Sequence, residues 1–474
     1  MIEAFDETAE KLLPSGLWTR LSSVPARLSA ILTGRGEEDA SRRMALVAFL
    51  IRIASAALAF VSQIILARAM GEFEYGIFVF VWVLVVIVGN LSCVGFHTAI
   101  IRFLPQYKLS GDMALLRGLT STARRFALVS AGGLALAGMV ALHFARQSME
   151  PYYVLPVFIG LLIMPLIALG DILDGTSRAN HWPVMALSPT FLIRPILILV
   201  FMVGAVLSGA PHSAVTATEA ALAATLITTL GQLLAVTLRL RRHVPAGPRE
   251  IAFSTWMGVA FPIFLIEGVG YLLTNSDVIV VGLFLPPEQV AIYFAAAKTM
   301  ALVHFVYFSV KAAAGPRFAA IIAEGDREKL AAFAAQATRW AFWPSLAVGL
   351  LVLAAGDFLL SLFGAAFMAG HVVMAVLLAG ILAKALVGPG EVLLMMAGRQ
   401  RLCALLYGVA LAANIGLNLL LIPHLGIEGA AIATASAMGV EALLLHLAVR
   451  RTLGIVLFAF GRAAPTSLTV KAFP

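Results

Sequence analysis

Seven ionisable residues stand inside long apolar runs: Arg52, Arg194, Glu267, Asp277, Lys298, Lys384 and Glu391. A charge within hydrocarbon costs several kcal/mol, so each must face a wet cavity or a partner. Cations in such a cavity would attract an anion, and carboxylates there would suit coupling to a small cation or proton. Arg52 shares a helical face with Ser55, Ala59, Ser62 and Gln63, a small and polar stripe. It either lines a central cavity or reaches back to headgroups, as long basic side chains near helix ends do. Glu267, Tyr271 and Thr274 form a second stripe with Asp277 a turn beyond, read as a wet wall or as an internal packing seam. Lys384 and Glu391 lie seven residues apart on one helical face, and Gly388-Pro389-Gly390 interrupts the helix between them. A Pro-broken helix beside charges suits a moving or binding element. Arg194, just before Pro195, and Lys298 are cavity cations or packing partners.

Other polar groups read more plainly. Thr225, Thr228, Thr229 and Gln232 line one side of a helix, and Asn414 and Asn418 lie one turn apart on another; both sets suit helix–helix hydrogen bonding. His304 and His446 have no ligand spacing around them, so no metal or other cofactor is expected beyond a coupling proton or sodium ion. Cys93 and Cys403 sit in apolar runs as small buried hydrophobes. The chain has no GxxxxGK[ST], HExxH or GxSxG, which removes an ATP engine and the common hydrolase signatures; no enzyme is expected.

The elements that carry these residues follow from composition. The chain is 61% hydrophobic and 12% charged, with a mean hydropathy of +0.97. An ordinary soluble domain has about a quarter charged residues. So much apolar surface implies an all-α polytopic membrane protein, with about twelve spans near the ~20 residues that cross hydrocarbon. They fall into two sets of six, about 44–238 and 251–451, flanked by tails 1–43 and 452–474. No cleavable signal peptide is expected. The link 239–250, RLRRHVPAGPRE, holds four arginines and two prolines and is the natural hinge. Lys and Arg concentrate in links after even-numbered spans, which predicts both termini and the hinge in the cytoplasm. The formal charge of +8 therefore reads as topology and headgroup contact rather than nucleic-acid binding.

The chain also says one phrase twice. QIILARAMGEFEYGIF at 63–78 has a worn copy, DVIVVGLFLPPEQVAIY, at 277–293. The same offset brings Arg102-Phe103 onto Arg317-Phe318, and one residue of slippage brings Gly111-Asp112 onto Gly325-Asp326. A duplicated unit of about six helices accounts for this, a common transporter plan.

The run Leu66-Ala67-Arg68, Gly71, Glu74-Tyr75-Gly76, then Arg102-Phe103 and Gly111-Asp112, resembles the polysaccharide transporter branch of the MOP flippase superfamily. Asp277, Gly282, Tyr293, Pro316, Arg317, Gly325 and Asp326 carry the likeness into the second half, and it extends over 44–451. The resemblance implies two six-helix bundles facing across a V-shaped cavity in the bacterial inner membrane. It implies movement of an oligosaccharide on undecaprenyl diphosphate from the cytoplasmic to the periplasmic leaflet. A polysaccharide polymerase and export machinery would be its partners beside the bilayer. Arg52 fits the family's basic residue in the first span, with Arg194, Lys298 and Lys384 as further cavity cations; Glu267, Asp277 and Glu391 would suit ion coupling by analogy. Two rivals stay open. One is a cation-coupled drug exporter of the same superfamily, which would want acids in the first bundle. The other is a membrane glycosyltransferase or polymerase using Glu72 and Glu74, against which the outer loops are short.

Overall fold

The computed structural model describes residues 37–461, with side chains from Ile51. Residues 1–36 of the N-terminal tail, where 12–32 read equally as an interfacial amphipathic helix or as a tail without structure, lie outside the described residues, as does 462–474 of the C-terminal tail. Among the described residues there are helices and no strands, and ten helical stretches are long and apolar enough to cross a membrane. Two of the ten contain a non-helical glycine, Gly71 at φ 77° and Gly426 at φ 60°. Side chains are excluded from such φ by their Cβ, so glycine reverses the chain there. Dividing at these two points gives the twelve expected spans.

In chain order the first half is α1 (37–70), α2 (72–91), α3 (Phe96–Ser110), α4 (Met113–Ala145), α5 (Pro151–Ala179), α6 (Pro183–Leu207) and α7 (Ala214–His243). The second half is α8 (Phe253–Phe284), α9 (Pro287–Glu324), α10 (Arg327–Ala354), α11 (Gly356–Ser361), α12 (His371–Val387), α13 (Gly390–Met396), α14 (400–425) and α15 (427–453). The side bearing the 244–252 connection is the hinge side, and the other is the far side. The short α3 and α11 do not cross.

The duplicated phrase has a structural counterpart. Gly111 (φ 78°) ends α3 and Asp112 precedes α4; Gly325 (φ 73°) ends α9 and Asp326 precedes α10. Asp326 accepts the Lys329 amide, a side-chain cap of an otherwise unpaired helix N–H. The halves differ at one joint. The second span was expected to run to residue 101, but α2 stops at Leu91 and α3 sets off from Gly95, whose Cα is so close to α8 that a Cβ would lie 2.1 Å from the Ala260 carbonyl. The second half has no such break, and α9 continues through Pro316 to Glu324.

The halves are closed on the far side. Gly76 is pressed onto Pro287 so tightly that a Cβ would sit 1.8 Å from its carbonyl oxygen. Tyr75, fully buried, packs on Phe294 and Phe367, and its hydroxyl donates to Gln63. Arg68 donates to the carbonyls of Leu362 and Ser361, and Phe60 meets Phe363 edge-on. Towards the hinge side the facing helices lose their cover. On α9 residues 287–300 are mostly buried, while most beyond Met300 are not; α8 changes likewise below Ser276, and α1 below Leu66. The hinge end of α8 instead leans on the first half, where buried Trp256 donates to the Tyr107 hydroxyl and Arg117 donates to the carbonyls of Pro245 and Pro248. The result is a cleft that widens towards the hinge side.

Candidate functional site

On the first-half wall, Arg194 follows a π-helical turn, Pro189–Ile193, and precedes Pro195. Proline offers no N–H to the preceding turn, and a single π turn relieves the mismatch by widening the helix, a distortion frequent at functional sites. The guanidinium of Arg194 lies 5.8 Å from the Trp82 ring centroid and within electrostatic reach of Asp171 on α5. Asp171 accepts from Asn90 at 3.0 Å. Arg52 is exposed, stacks at 4.9 Å over Phe191 of the π turn, and lies within electrostatic reach of Asp174 and Arg178, which pair with each other at 2.5 Å. Arg52 and Arg194 thus end on neighbouring parts of one polar surface, with Asp171 and Asp174 between helices.

On the second-half wall, Lys298 is exposed, stands 4.9 Å from the Phe294 ring centroid and interacts with Asp277. Asp277 is 7% exposed and accepts from the Tyr293 hydroxyl at 2.6 Å. The hydroxyl also lies 3.4 Å from Thr434, which in turn accepts from Asn414; Asn414 bonds Ser276 and Asn418. The buried Asn418 Oδ1 has no hydrogen-bond partner. Asp277, Tyr293, Thr434, Asn414, Ser276 and Asn418 thus form one connected polar network across α8, α9, α14 and α15. Among the described residues no group of three His, Cys, Asp or Glu could hold a transition metal.

Glu267 bridges the halves. It accepts from Thr98 at 3.0 Å and pairs with His97 at 3.2 Å, while remaining 43% exposed at the cleft.

Lys384 and Glu391 flank the break in the second half. The expected break is present: α12 ends at Val387, Gly388 takes φ 67°, and α13 starts at Gly390. The break turns the two charges to different partners. Lys384 pairs with Glu441 of α15 at 2.7 Å, the two being 14% and 2% exposed. Glu391 pairs with Lys311 of α9 and accepts from Tyr407 of α14. These four charges form a neutral group on helices of the second half.

Sequence reasoning did not single out Asp171, Lys311 or Glu441. Lys311 and Glu441 carry the same signal as Lys384, a lone charge in an apolar run; Asp171 was read as the end of its span, but α5 continues to Ala179. A separate concavity of about 500 Å³, lined by Ala375, Ala379, Gly380, Ile432, Ala435 and Ser436, contains none of these charges.

The model of the family described as polysaccharide biosynthesis protein matches residues 41–322, more than half the chain. The chain belongs to that family. No curated protein matches it. Among solved structures, it is similar to an inward-facing multidrug resistance MATE family transporter of the MOP superfamily, with 17% identity over 85% of this chain and 97% of that one, TM-score 0.68. It is also similar to the lipid II flippase MurJ in an inward closed conformation, with 14% identity over 85% and 87%, TM-score 0.67. A MOP superfamily transporter from Pyrococcus furiosus matches with 15% identity over 89% and 96%, TM-score 0.54. At these identities the structures establish the fold. The family member is thus a multi-pass membrane protein with a MOP-type array of helices.

Proposed function

We propose that this protein is a flippase that moves an undecaprenyl-diphosphate-linked oligosaccharide, a repeat unit of a surface polysaccharide, from the cytoplasmic to the periplasmic leaflet. The observation that carries the reading is the cleft: closed by Gly76 on Pro287 at the far side, open towards the hinge side, with Arg52 and Arg194 on one wall and Lys298 on the other. A diphosphate and a sugar chain cannot cross hydrocarbon unaided, because their polar groups would lose water without replacement. A cationic groove replaces that water while the prenyl tail stays in lipid. Rocking of residues 44–238 against 251–451 about the 239–250 hinge then gives alternating access. The Lys and Arg distribution supports a bacterial inner-membrane protein with both termini and the hinge cytoplasmic, so the cleft opens to the leaflet where such substrates are built. A polymerase and export machinery would receive the product.

For coupling, Asp277 with the oxygens of Asn414, Asn418 and Thr434 supports a sodium ion, whose single charge one carboxylate balances. Glu267 is the second candidate, since it joins His97 and Thr98 of the first half to α8. The paired Lys384 and Glu391 would support the array rather than touch the head group. The test is replacement of Arg52, Arg194 or Lys298 by Ala in the native host. Surface polysaccharide is expected to fall sharply while the protein stays in the membrane; normal polymer in all three would defeat the cationic-cleft reading.

One observation favours a second reading. Asp171 places an acid in the first half, as a cation-coupled drug exporter would want. Altered sensitivity to cationic dyes with intact polysaccharide in a deletion strain would select the exporter.

A further inference from the structure

The end of α15 does not lead into solvent. After Gly454 the chain turns back in an irregular run, and its residues alternate: Ile455, Leu457 and Ala459 are 4%, 1% and 3% exposed, whereas Phe458 and Phe460 are 39% and 60% exposed. Residues 458–461 close a turn, the Gly461 amide donating to the Phe458 carbonyl, so the alternation marks the covered and open sides of an irregular run. Ile455 and Leu457 pack into the cluster holding Leu393, Leu445 and Cys403, and Ala459 into that of Tyr307, Phe342 and Ala385. Leu457 lies so near the helix break that a Cβ on Gly390 would come within 2.9 Å of it.

The backbone of this run completes the break. A helix that stops inside a protein leaves its last carbonyls without partners. Here the Gly388 carbonyl accepts from Tyr307, Val387 lies 3.5 Å from the Thr338 hydroxyl, and the Leu386 carbonyl accepts from the Ala459 amide at 3.0 Å. His446 Nδ1 holds the Leu457 carbonyl at 2.7 Å, which makes Nδ1 the protonated nitrogen. Directly inside lie the two ion pairs, Lys384–Glu441 on one arm of the broken helix and Glu391–Lys311 on the other. The two carboxylates are buried, Glu391 at 7% and Glu441 at 2% exposed, while Lys384 and Lys311 are 14% and 27% exposed, and removing the cover over such a pair lets water screen it.

We propose that residues 454–461 are a strap that shields the Glu391 and Glu441 carboxylates from hinge-side water and holds the two arms of the broken helix in register. Only the further statement that transport requires the seated strap rests on the flippase reading.

The chain's two native cysteines test the seal. Cys403 is 3% exposed under the strap, and Cys93 is fully buried in the first half, far from it. The full-length protein in native membranes is treated with a water-soluble maleimide, and labelling is assigned by peptide mass. Ala459→Pro removes the one amide that caps Leu386, and Leu457→Asp places a charge in the covered face. Both are expected to speed Cys403 labelling by about tenfold or more, as local opening does, with Cys93 still unlabelled. Leu457→Ile is expected to leave Cys403 protected. Unchanged Cys403 labelling in both strap variants, or a wild-type Cys403 that labels freely, overturns the proposal. If Cys93 also labels in a variant, that variant has unfolded, and the milder Leu457→Ala decides on the same two criteria. Loss of polysaccharide in variants with opened Cys403 and normal abundance would complete the claim; full transport by them would refute the requirement while leaving the seal tested separately.

Discussion

Replacing Lys384 by Ala separates two roles that a lone lysine in a span could have. The ammonium is 14% exposed and sits 2.7 Å from a Glu441 carboxylate that is 2% exposed. Truncation leaves Glu441 charged in apolar surroundings, with the second pair, Lys311 and Glu391, already satisfied. Removing one partner of a buried pair costs about 3–5 kcal/mol, whereas replacing both by uncharged groups of similar size is often neutral. A typical folded domain has only about 5–15 kcal/mol in total. Lys384→Ala is therefore expected to lower the denaturation midpoint of the purified protein severely, and Lys384→Met combined with Glu441→Gln to recover most of it. The measurement is tryptophan fluorescence against denaturant in one detergent. A single variant as stable as wild type would refute the reasoning, as would a double variant no better than the single; either result would mean that the pair with Glu441 is not what keeps Lys384 in place.

Other consequences follow from the same geometry. Gly76→Val puts carbon into a space bounded by the Pro287 carbonyl at 1.8 Å, so it should keep the far side from closing, with polymer lost at normal abundance and far-side thiol labelling of an introduced Phe294→Cys increased; normal polymer would count against the closure. Sodium should raise the free energy of unfolding relative to choline, by about 2.7 kcal/mol at a hundred times the dissociation constant, and Asp277→Asn should abolish the rise. An equal rise in that variant would remove the ion from Asp277. Glu267→Ala should cost less than about 1 kcal/mol of stability, since the side chain is 43% exposed, yet change the pH dependence of transport through the lost His97 contact. An unchanged pH profile would mean that the bridge is only a packing contact.

What could be read from the chain was local chemistry. Gly111-Asp112 and Gly325-Asp326 were visible as twins because a left-handed glycine and an aspartate cap are set by neighbours along the chain. Gly388-Pro389-Gly390 announced a break for the same reason. The partner of Lys384 was not visible, because Glu441 reaches it only through the packing of α12 on α15. Asp171 was hidden by a misplaced span end: Asp174 and Arg178, read as a polar link, pair one turn apart and carry α5 on to Ala179. The strap was expected to be part of a polar tail after Arg450-Arg451, and its alternation is too short to register beside long apolar helices. The relation between the two walls of the cleft is likewise tertiary, since Arg194 and Lys298 belong to opposite halves.

The most direct test of the account is movement of the substrate class itself. Purified protein is placed in vesicles carrying an undecaprenyl-diphosphate-linked oligosaccharide with a labelled sugar, and its exposure to an external glycosidase is followed over time. Vesicles with wild-type protein are expected to render the inner-leaflet half of the label accessible, and vesicles with folded Arg52→Ala/Lys298→Ala protein to do so far more slowly. Equal rates in wild-type, variant and protein-free vesicles would contradict the claim that this cleft carries lipid-linked sugar across the membrane.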